Sequence, residues 1–405
     1  MSAIYLINLP YPRFFKEYVL QGMTRMQSAK LLHVPQGDFQ LTRLPKQKSD
    51  VLQAFDAADE YMLAEVAEHI PLIPQSRVLI FNDNFGALAI ALHKFKPTAV
   101  SDSYLSQHAT RLNLLTNGLM PQDVELLDSL TPLSGQYDVV LLKVPKNLAL
   151  LEEQLLRLRQ HVSTSSHIIL SGMVKLLPAT VWKLVEKILG TATTSLAKKK
   201  ARLIFVVFNP QLPEINNPYP TRYTLENTAY TLVNHANVFS RDHLDIGTRF
   251  FLHYLPSSAK PNNIVDLGCG NGVVGLIAAE RNPHAMIHFV DESFMAVASA
   301  QENFQAVWRN ERASNFYVGD GLVSFADDSV DLVLCNPPFH QHNIIGSYIA
   351  ITMFAEAARV LTTTGQLWVI GNRHLNYQQL LPRWFNRIER LAMNDKFVIL
   401  KAYQR

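Results

Sequence analysis

The chain has 405 residues, of which 48% are hydrophobic and 18% charged, and a formal net charge of +3. At about 100–200 residues per domain this length predicts two globular domains, and the composition excludes a disordered or fibrous chain. The longest apolar runs are far shorter than the ~20 residues of a membrane-spanning helix, and the first residues lack the pattern of an export signal. Cys269 and Cys335 are too few for a disulfide framework or a four-ligand zinc site, and the 14 histidines show no metal-ligand spacing. We therefore expect a cytoplasmic protein without a membrane or metal partner.

The charge is divided unevenly between the two halves of the chain. Residues 1–210 contain 22 Lys and Arg against 17 Asp and Glu, a balance of +5, whereas residues 211–405 contain 15 against 17, a balance of −2. A basic excess suits a polyanionic partner, because each phosphate that is neutralised releases condensed counterions. On charge alone, a basic excess that is scattered over solvated faces is as good an explanation as a polyanionic partner.

A proline-rich segment divides the chain after the predicted strand Leu203–Phe208. The segment Asn209–Pro220 contains four prolines and three asparagines and has no apolar periodicity. Proline fixes φ and removes an amide donor, so neither a helix nor a central strand runs through such a segment. We therefore predict a first domain over residues 1–208, a linker over 209–221 and a second domain over 222–405.

The second half alternates short apolar runs with helical patterns, which is typical of a parallel sheet covered by helices. Ser293 can cap a helix because its hydroxyl can accept from a first-turn amide. The alternation predicts a doubly wound α/β sheet. Its strands are predicted at Ile264–Leu267, Met286–Val290, Asn315–Val318, Asp331–Cys335 and Gln366–Ile370, and its helices at Val273–Arg281, Phe294–Ala306 and Ile344–Leu361.

An internal repeat relates the two halves. Val78–Gly86 matches Ile264–Gly272 at an offset of 272 − 86 = 186 residues, and Tyr137–Pro145 matches Val330–Pro338 at 338 − 145 = 193 residues. The drift of seven residues is what loop insertions produce. Two matched strand-loop segments in the same order favour a duplicated fold over a chance match.

The chemistry of the repeat is not duplicated. Asn82, Asp83, Asn84 and Phe85 stand where the second half has Gly268, Cys269, Gly270 and Asn271, and only Gly86 of the first glycine loop remains. Side chains at these positions remove the flexible loop that a close approach to a ligand requires. We therefore predict that the first domain is a degenerate copy.

The segment Asp266–Gly272 follows a predicted strand and opens a predicted helix, which is the context of a phosphate- or nucleoside-binding turn. Gly268, Gly270 and Gly272 permit positive φ and a close approach of the backbone to a ligand. Val273 stands where a dinucleotide fingerprint needs its third glycine. The spacing therefore favours a nucleoside ligand over NAD.

Two further carboxylates follow the next predicted strands. Asp291 lies 19 residues after Gly272, where a carboxylate can accept from both ribose hydroxyls of a nucleoside. Asp320 follows the third strand and can accept from an adenine amino group. The ordinary alternatives are a helix-capping or solvated Asp291 and a turn-forming Asp320.

The most specific signal is Asn336-Pro337-Pro338-Phe339 at the carboxyl end of a predicted strand, where open α/β sheets bind ligands. Two prolines fix the direction of the carbonyls, so the Asn side-chain oxygen and the Pro337 carbonyl can both accept from one planar NH2 group. Two acceptors draw its protons out of the ring plane and direct its lone pair at an electrophile. Phe339 can stack on a base. A rigid proline turn with a core Phe is the alternative.

The glycine turn together with Asn-Pro-Pro-Phe resembles the S-adenosylmethionine-dependent N-methyltransferases. The duplicated architecture resembles more closely the bacterial ribosomal RNA guanine-N2 methyltransferases, over nearly the whole chain. Further stretches similar to the large-subunit members of that family are Lys143–Leu151, Lys199–Leu203, Val238–Arg241, Leu244–Gly247 and Asn372–Leu375.

The resemblance implies two tandem class I, Rossmann-like methyltransferase domains, the first degenerate and used for RNA recognition. It implies methyl transfer from S-adenosylmethionine to the exocyclic N2 of a guanine in 23S ribosomal RNA before full subunit assembly, with guanine 1835 as the family's target. The implied cofactor residues are Asp266, Gly268, Gly270, Gly272, Asp291 and Asp320, and the implied catalytic residues are Asn336, Pro337, Pro338 and Phe339.

Several alternatives remain open at this stage. The small-subunit 16S enzyme shares the duplication, a glutamine amide presents the same planar NH2 group, and a non-catalytic RNA-binding or assembly protein could keep the fold. Lys198–Lys200 suits phosphate contacts or a solvated basic turn equally well. Arg373 and His374 follow a predicted strand and could line the mouth of a substrate site.

Overall fold

The structure is a computed structural model, and it describes residues 30–45, 52–258, 261–309, 311–338 and 344–404. The first domain contains β1 (Lys30–Val34), β2 (Gly37–Leu41), α1 (Ala57–His69), β3 (Val78–Phe81), α2 (Ala87–Ala91), β4 (Thr98–Ser101), α3 (Tyr104–Thr116), β5 (Glu125–Asp128), β6 (Val139–Lys143), α4 (Leu148–Leu158), β7 (His167–Met173), α5 (Ala179–Ile188), β8 (Gly190–Thr194) and β9 (Ala201–Phe208). The second contains β10 (Thr221–Thr224), β11 (Thr231–Asn234), α6 (Ile246–Tyr254), β12 (Asn263–Leu267), α7 (Val273–Arg281), β13 (Met286–Asp291), α8 (Phe294–Trp308), β14 (Ser314–Val318), β15 (Val330–Cys335), α9 (Ile344–Val360), β16 (Leu361–Asn372), α10 (Tyr377–Leu380), β17 (Arg387–Met393) and β18 (Phe397–Tyr403).

Each domain is built on a seven-stranded sheet with the same strand order. The first sheet runs β5-β4-β3-β6-β7-β9-β8, and the second runs β14-β13-β12-β15-β16-β18-β17. The first five strands of each order are parallel, and the last two are joined antiparallel. The identical order confirms the predicted duplication of a doubly wound α/β fold. Sequence analysis did not predict the hairpin β17–β18, which makes the second sheet mixed rather than purely parallel.

Burial on both faces explains why the predicted strands read as continuous apolar runs. In β12, Ile264 packs into the core on one face of the sheet and Val265 into the core on the other, and both are fully buried. The first sheet is covered in the same way, with Ile80 and Leu79 of β3 on opposite faces. The helices therefore cover both faces of each sheet.

The segment between Phe208 and Thr221 contains no helix or strand. The antiparallel pair β10–β11 follows it and packs on α8. Asn303 of α8 accepts a hydrogen bond from the Val233 amide at 2.6 Å and donates to the Val233 carbonyl at 2.9 Å, so its side chain mimics a strand neighbour. This contact attaches the start of the second domain to α8.

The two domains meet at the carboxyl ends of β4 and β13. Ser103 and Ser293 form an antiparallel backbone bridge, and each begins a helix as its N-cap residue. An apolar cluster of Leu150, Val238 and Met295, with Ala236 between them, fills the adjoining space. Within the described part of the chain, none of the helices has the length and hydrophobicity needed to cross a bilayer.

Candidate active site

The glycine turn lies between β12 and α7, as predicted. Gly268, Gly270 and Gly272 have φ of +74°, +54° and +79°, values that favour glycine. A Cβ atom on Gly270 would meet nothing within 4 Å, whereas one on Gly272 would lie 2.7 Å from the Cβ of Ala300 in α8. Gly272 therefore allows the helices to pack closely, and Gly270 leaves open space where a ligand can approach the backbone.

Asp291 closes the other side of this turn. Its two carboxylate oxygens accept hydrogen bonds at 3.0 Å from the amides of Gly270 and Ser293. Removal from bulk water raises the pKa of Asp291. The carboxylate thus stands at the carboxyl end of β13, beside the open space at the glycine turn, where ribose hydroxyls can reach it.

Asp266 occupies a different position from the other predicted cofactor residues. It is buried in β12, and its Oδ2 accepts a hydrogen bond at 2.8 Å from the Gly275 amide in the first turn of α7. Burial raises the pKa of Asp266 to about 8. The structure therefore places this carboxylate below the turn, where it holds the start of the helix.

Asn336 lies at the carboxyl end of β15, next to the glycine turn. A Cβ on Gly268 would lie 4.0 Å from the Asn336 carbonyl oxygen. The Asn336 Nδ2 donates to Thr248 Oγ1 at 3.0 Å. The Asn336 Oδ1 is buried and accepts no hydrogen bond from the described residues. Because an unsatisfied buried acceptor is costly, this oxygen is suited to accept from a bound ligand.

Thr248 and Asp245 fix the orientation of the Asn336 side-chain amide. Thr248 Oγ1 donates to Asp245 Oδ2 at 3.3 Å, and the same Asp245 oxygen accepts from the Thr248 amide at 2.8 Å as the N-cap of α6. Since the hydroxyl proton of Thr248 is used on Asp245, the hydroxyl oxygen accepts from the Asn336 NH2 group. The side-chain oxygen of Asn336 must then face the site.

The remaining predicted site residues are the two prolines and Phe339 that follow Asn336, and Asp320. Pro337 is buried and Pro338 exposed, and the predicted stacking residue Phe339 lies outside the described residues. Asp320 is exposed after β14, where the Gly319 amide donates to the Asp291 carbonyl at 3.0 Å and brings the two strand ends together. The structure thus gathers the ends of β13, β12, β15 and β14 along one edge, at the switch point of strand order.

The cysteines of the second domain lie in and beside this site. Cys269 and Cys335 are both buried, and burial raises the pKa of each thiol, which opposes a thiolate nucleophile. Among the described residues no three His, Cys, Asp or Glu side chains are grouped to hold a metal ion.

Arg373 and His374 are exposed on a short turn after β16, and Arg373 Nη1 donates to the Asp395 carbonyl at 3.4 Å.

Comparison with known proteins identifies the family. Residues 29–210 match the RLMG N-terminal domain, and residues 229–401 match the methyltransferase small domain. Ribosomal RNA large subunit methyltransferase G of Pseudomonas fluorescens is 48% identical over 92% of this chain and 99% of its own length. The Pseudomonas aeruginosa protein of the same name has the same identity and coverage.

The chain belongs to the ribosomal RNA large subunit methyltransferase G family. It is therefore a ribosomal RNA methyltransferase with S-adenosylmethionine as its cofactor, as predicted. A solved structure, the T. thermophilus 16S rRNA N2 G1207 methyltransferase (RsmC) in complex with AdoMet and guanosine, covers 93% of this chain with a TM-score of 0.73 and 19% identity, and 98% of that chain is covered. This likeness confirms the tandem fold.

In the first domain an ion pair stands in place of the hydrogen bond between Asn336 and Thr248. Lys143 at the end of β6 corresponds to Asn336, which directly follows β15. The Lys143 Nζ lies 2.6 Å from Oδ1 of Asp59, which holds the same place in α1 that Thr248 holds in α6. Burial opposes the charge of Lys143, yet Asp59 and Asp56 raise its pKa on balance. The position that corresponds to Asn336 therefore carries a cation in the first domain.

Side chains also fill the place of the first glycine turn. Asn82 has a φ of +61°, and its Nδ2 donates to the Lys143 carbonyl and to Gln154 Oε1, both at 2.9 Å. Asp83 Oδ2 accepts from the Ala89 amide at 2.8 Å, the contact that Asp266 makes with Gly275 in the second domain. The carboxylate that holds the start of the helix therefore lies in the loop in the first domain and in the strand in the second.

Sequence analysis missed the residues that orient Asn336. Asp245 and Thr248 have the spacing of an N-cap residue and the amide that it accepts from, whereas the sequence marks the stretch Leu244–Gly247 only by its likeness to the family. The capping pattern could have predicted the start of α6. Only the packing of α6 against the end of β15 shows that Thr248 reaches Asn336.

Proposed function

We propose that this enzyme transfers a methyl group from S-adenosylmethionine to the exocyclic N2 of a guanine in 23S ribosomal RNA. The single observation that supports the reaction type is the buried Oδ1 of Asn336, which has no hydrogen-bond partner among the described residues and which Thr248 directs into the site. The choice of guanine N2 is supported by the similar T. thermophilus protein, which is an N2 methyltransferase bound to guanosine. The choice of large-subunit RNA is supported by the names of the relatives at 48% identity.

The cofactor supplies an electrophilic methyl group bonded to a sulfonium. The chain's own contribution is to orient the attacking amine. Asn336 Oδ1 and the Pro337 carbonyl accept from the two N–H bonds of the guanine amine, which directs the nitrogen lone pair at the methyl carbon. The new N–C bond would replace the C–S bond, whose electron pair would leave with sulfur, and the methylated nitrogen would lose one proton to solvent, because amide and carbonyl oxygens accept hydrogen bonds but do not hold a proton. Alignment and preorganised acceptors therefore provide the catalysis.

The proposed cofactor site uses the edge formed by β13, β12 and β14. The open backbone at Gly268 and Gly270 accommodates the cofactor, Asp291 accepts from its ribose hydroxyls, and Asp320 accepts from its adenine amine. Gly272 and Asp266 support the turn from behind. Pro338 completes the rigid turn at the substrate, and Phe339 is proposed to stack on the guanine.

We assign recognition of the RNA to the first domain, with residues 1–208 as that domain, 209–221 as a linker and 222–405 as the catalytic domain. Its charge of +5 suits a phosphate-rich partner. The ion pair of Lys143 and Asp59 and the filled turn at Asp83 support the loss of cofactor binding there. The proposed target is guanine 1835, methylated before the subunit is fully assembled.

Tritiated methyl transfer tests the proposal. The enzyme is incubated with labelled cofactor and deproteinised 23S RNA from a strain that lacks it, and the RNA is digested to nucleosides. The label should elute with N2-methylguanosine and map to guanine 1835. Label in 16S RNA, in N6-methyladenosine or in glutamine would each contradict the assignment of guanine N2 in 23S RNA as the substrate. No transfer to any RNA or protein would favour a non-catalytic assembly protein.

A further inference from the structure

A strained lysine turn lies between β8 and β9 of the first domain. Lys198 and Ala201 exchange two backbone hydrogen bonds of 2.9 and 2.8 Å, and the two residues between them, Lys199 and Lys200, have φ of +48° and +65°. Two-residue turns with both φ values positive favour Asn-Gly, because a Cβ atom makes left-handed backbone unfavourable. Two consecutive lysines are a poor choice for the stability of this turn.

The duplicated hairpin of the second domain shows that the fold does not require this turn. There the segment Asn394–Phe397 joins β17 and β18, and neither of its two central residues has positive φ. Asn394 Oδ1 accepts from the amides of Lys396 and Phe397 at 2.9 and 2.7 Å. The two turns occupy the same place, since Val174 donates to Lys200 as Arg373 donates to Lys396. A relaxed turn is thus available to this architecture.

The lysine turn, defined as Lys198–Lys200, lies at the edge of the first sheet that corresponds to the catalytic edge of the second. It lies beside the carboxyl end of β7, where the Val174 amide donates to the Lys200 carbonyl, and β7 is the neighbour of β6 in the sheet. Lys198 Nζ lies 4.5 Å from the centre of the Tyr61 ring, and Lys199 Nζ lies 2.9 Å from Glu60 Oε2. An exposed ion pair of this kind contributes little to stability. The contacts orient the turn on α1 but do not explain the choice of lysines.

A positive surface results at this edge. All three lysines of the turn are exposed, as is Lys175, which follows the residue bonded to the Lys200 backbone. Among the described residues Lys200 and Lys175 have no acidic side chain in ion-pair contact, and Glu60 is the acid that faces the turn. Strained backbone is often retained where it positions functional groups. Adjacent ammonium groups on a rigid turn suit the phosphates of an RNA backbone.

We propose that the lysine turn and Lys175 bind backbone phosphates of ribosomal RNA. The inference rests on the proposed function, since it names the surface with which the first domain holds the substrate. It predicts that the turn contributes to RNA affinity at the expense of thermal stability. Removal of the lysines in favour of ordinary turn residues should then move the two properties in opposite directions.

The test uses the full chain and three double variants. Lys199→Asn with Lys200→Gly removes two charges and relieves the strain, whereas Lys199→Arg with Lys200→Arg keeps both. Lys183→Ala with Lys187→Ala removes two exposed charges from α5, which packs on the opposite face of the sheet. Affinity for deproteinised 23S RNA lacking this methyl group is measured by filter binding between about 0.05 and 0.3 M KCl, and Tm by thermal denaturation.

The Asn-Gly variant should bind roughly tenfold or more weakly at ~0.1 M salt, with a salt slope smaller by about 1–2, and its Tm should rise by a few degrees. The other two double variants should bind within about twofold of wild type. Wild-type RNA affinity in the Asn-Gly variant, or an equal loss in the α5 variant, would overturn the assignment of the lysine turn.

The experiments distinguish a failure of the proposed reaction from a failure of the lysine-turn proposal. A failure of the proposed reaction would appear as label in a different nucleoside while the affinity loss of the Asn-Gly variant persisted. At saturating RNA this variant should keep the wild-type kcat and show only a raised KM, because the turn does not contact the reacting atoms. A wild-type chain that binds no RNA would overturn both proposals.

Discussion

Ser293 of the second domain donates a hydrogen bond to Asp102 of the first, with 2.6 Å between Oγ and Oδ2. The Ser293 amide donates at the same time to Asp291, the proposed ribose acceptor, at 3.0 Å. The Met295 amide donates to Asp102 Oδ1 at 2.9 Å. Asp102 of the first domain therefore fixes the backbone at Ser293, and the Ser293 amide in turn positions Asp291 of the second domain.

Replacement of Asp102 should weaken both the domain contact and cofactor binding. Asp102 also accepts from Ser129 Oγ and Asn237 Nδ2, at 2.6 and 2.7 Å. Asp102→Ala leaves the buried Ser129 hydroxyl and the half-buried Asn237 amide without this acceptor, so we expect a loss of about 2–4 kcal/mol in the free energy of unfolding. Calorimetry should also show weaker S-adenosylmethionine binding. The control Asp138→Ala, an exposed carboxylate at the amino edge of the first sheet, should leave cofactor affinity unchanged.

Loss of the proposed amine acceptor should separate chemistry from cofactor binding. Asn336→Ala should lower single-turnover methylation by about a hundredfold or more, in the range seen for preorganised polar groups, and change cofactor affinity little. Thr248→Val should lower the rate as well, because the Asn336 NH2 group loses its acceptor, whereas Thr248→Ser should restore most of it. Turnover within a few-fold of wild type in Asn336→Ala would contradict the assigned role.

Only the second domain should bind cofactor. Asp83 fills the first turn, and the ion pair of Lys143 and Asp59 occupies the position of Asn336 and Thr248. Titration calorimetry of the full chain should therefore show one S-adenosylmethionine per chain. Gly270→Asp should abolish that binding, because its side chain would enter the open space at the turn. A second site, or a site that survives in Gly270→Asp, would show that the first domain binds cofactor.

Burial of Asp266 should make stability depend on pH. Its pKa is raised from an ordinary value of 3.8 to about 8, so the folded state binds its proton more tightly than the unfolded chain. The contribution is present at low pH and is lost as pH rises through about 8. Asp266→Asn should therefore flatten the decline of Tm between about pH 5 and 9, measured without cofactor, since an amide oxygen can still accept from Gly275.

A second carboxylate provides the control for this comparison. Asp331 accepts from the amides of Asn262 and Asn263 at the opposite edge of the same sheet, at 2.9 and 3.0 Å. Asp331→Asn should leave the decline of Tm with pH in place. Parallel curves for Asp266→Asn and the wild type would show that the buried carboxylate is not the group that titrates.

The parts of the site that could be predicted from the sequence are those encoded within a few residues. Gly268–Gly272 and Asn336–Pro338 carry their conformations locally, through glycine dihedrals and proline rings, and the alternation of strands and helices places them at one edge. The hydrogen bond from Asn336 to Thr248 joins residues 88 positions apart, and the one from Ser293 to Asp102 joins residues 191 apart. No local pattern specifies such pairs, because they depend on how helices and domains pack.

The hairpin β17–β18 was missed for a different reason. Strand β17 is the edge strand of its sheet, and its residues are mostly half-buried or exposed, so it lacks the apolar run that marks the central strands. Its partner β18 is well buried, yet it forms antiparallel contacts that the parallel pattern of the preceding segments does not suggest. Edge strands depend on their neighbours for their conformation, and their own sequence indicates it only weakly.

The contact between the domains is reciprocal. Ser293 donates to Asp102, and Ser103 donates in turn to Glu292, so equivalent positions in the two halves exchange the same bond across the Ser103–Ser293 bridge. Such reciprocity is the property of an isologous dimer with a two-fold axis. The chain has the form of a homodimer whose subunits became one polypeptide. In a true homodimer every substitution falls on both subunits, whereas in a single chain of this form one half can lose its glycine turn while the other keeps it.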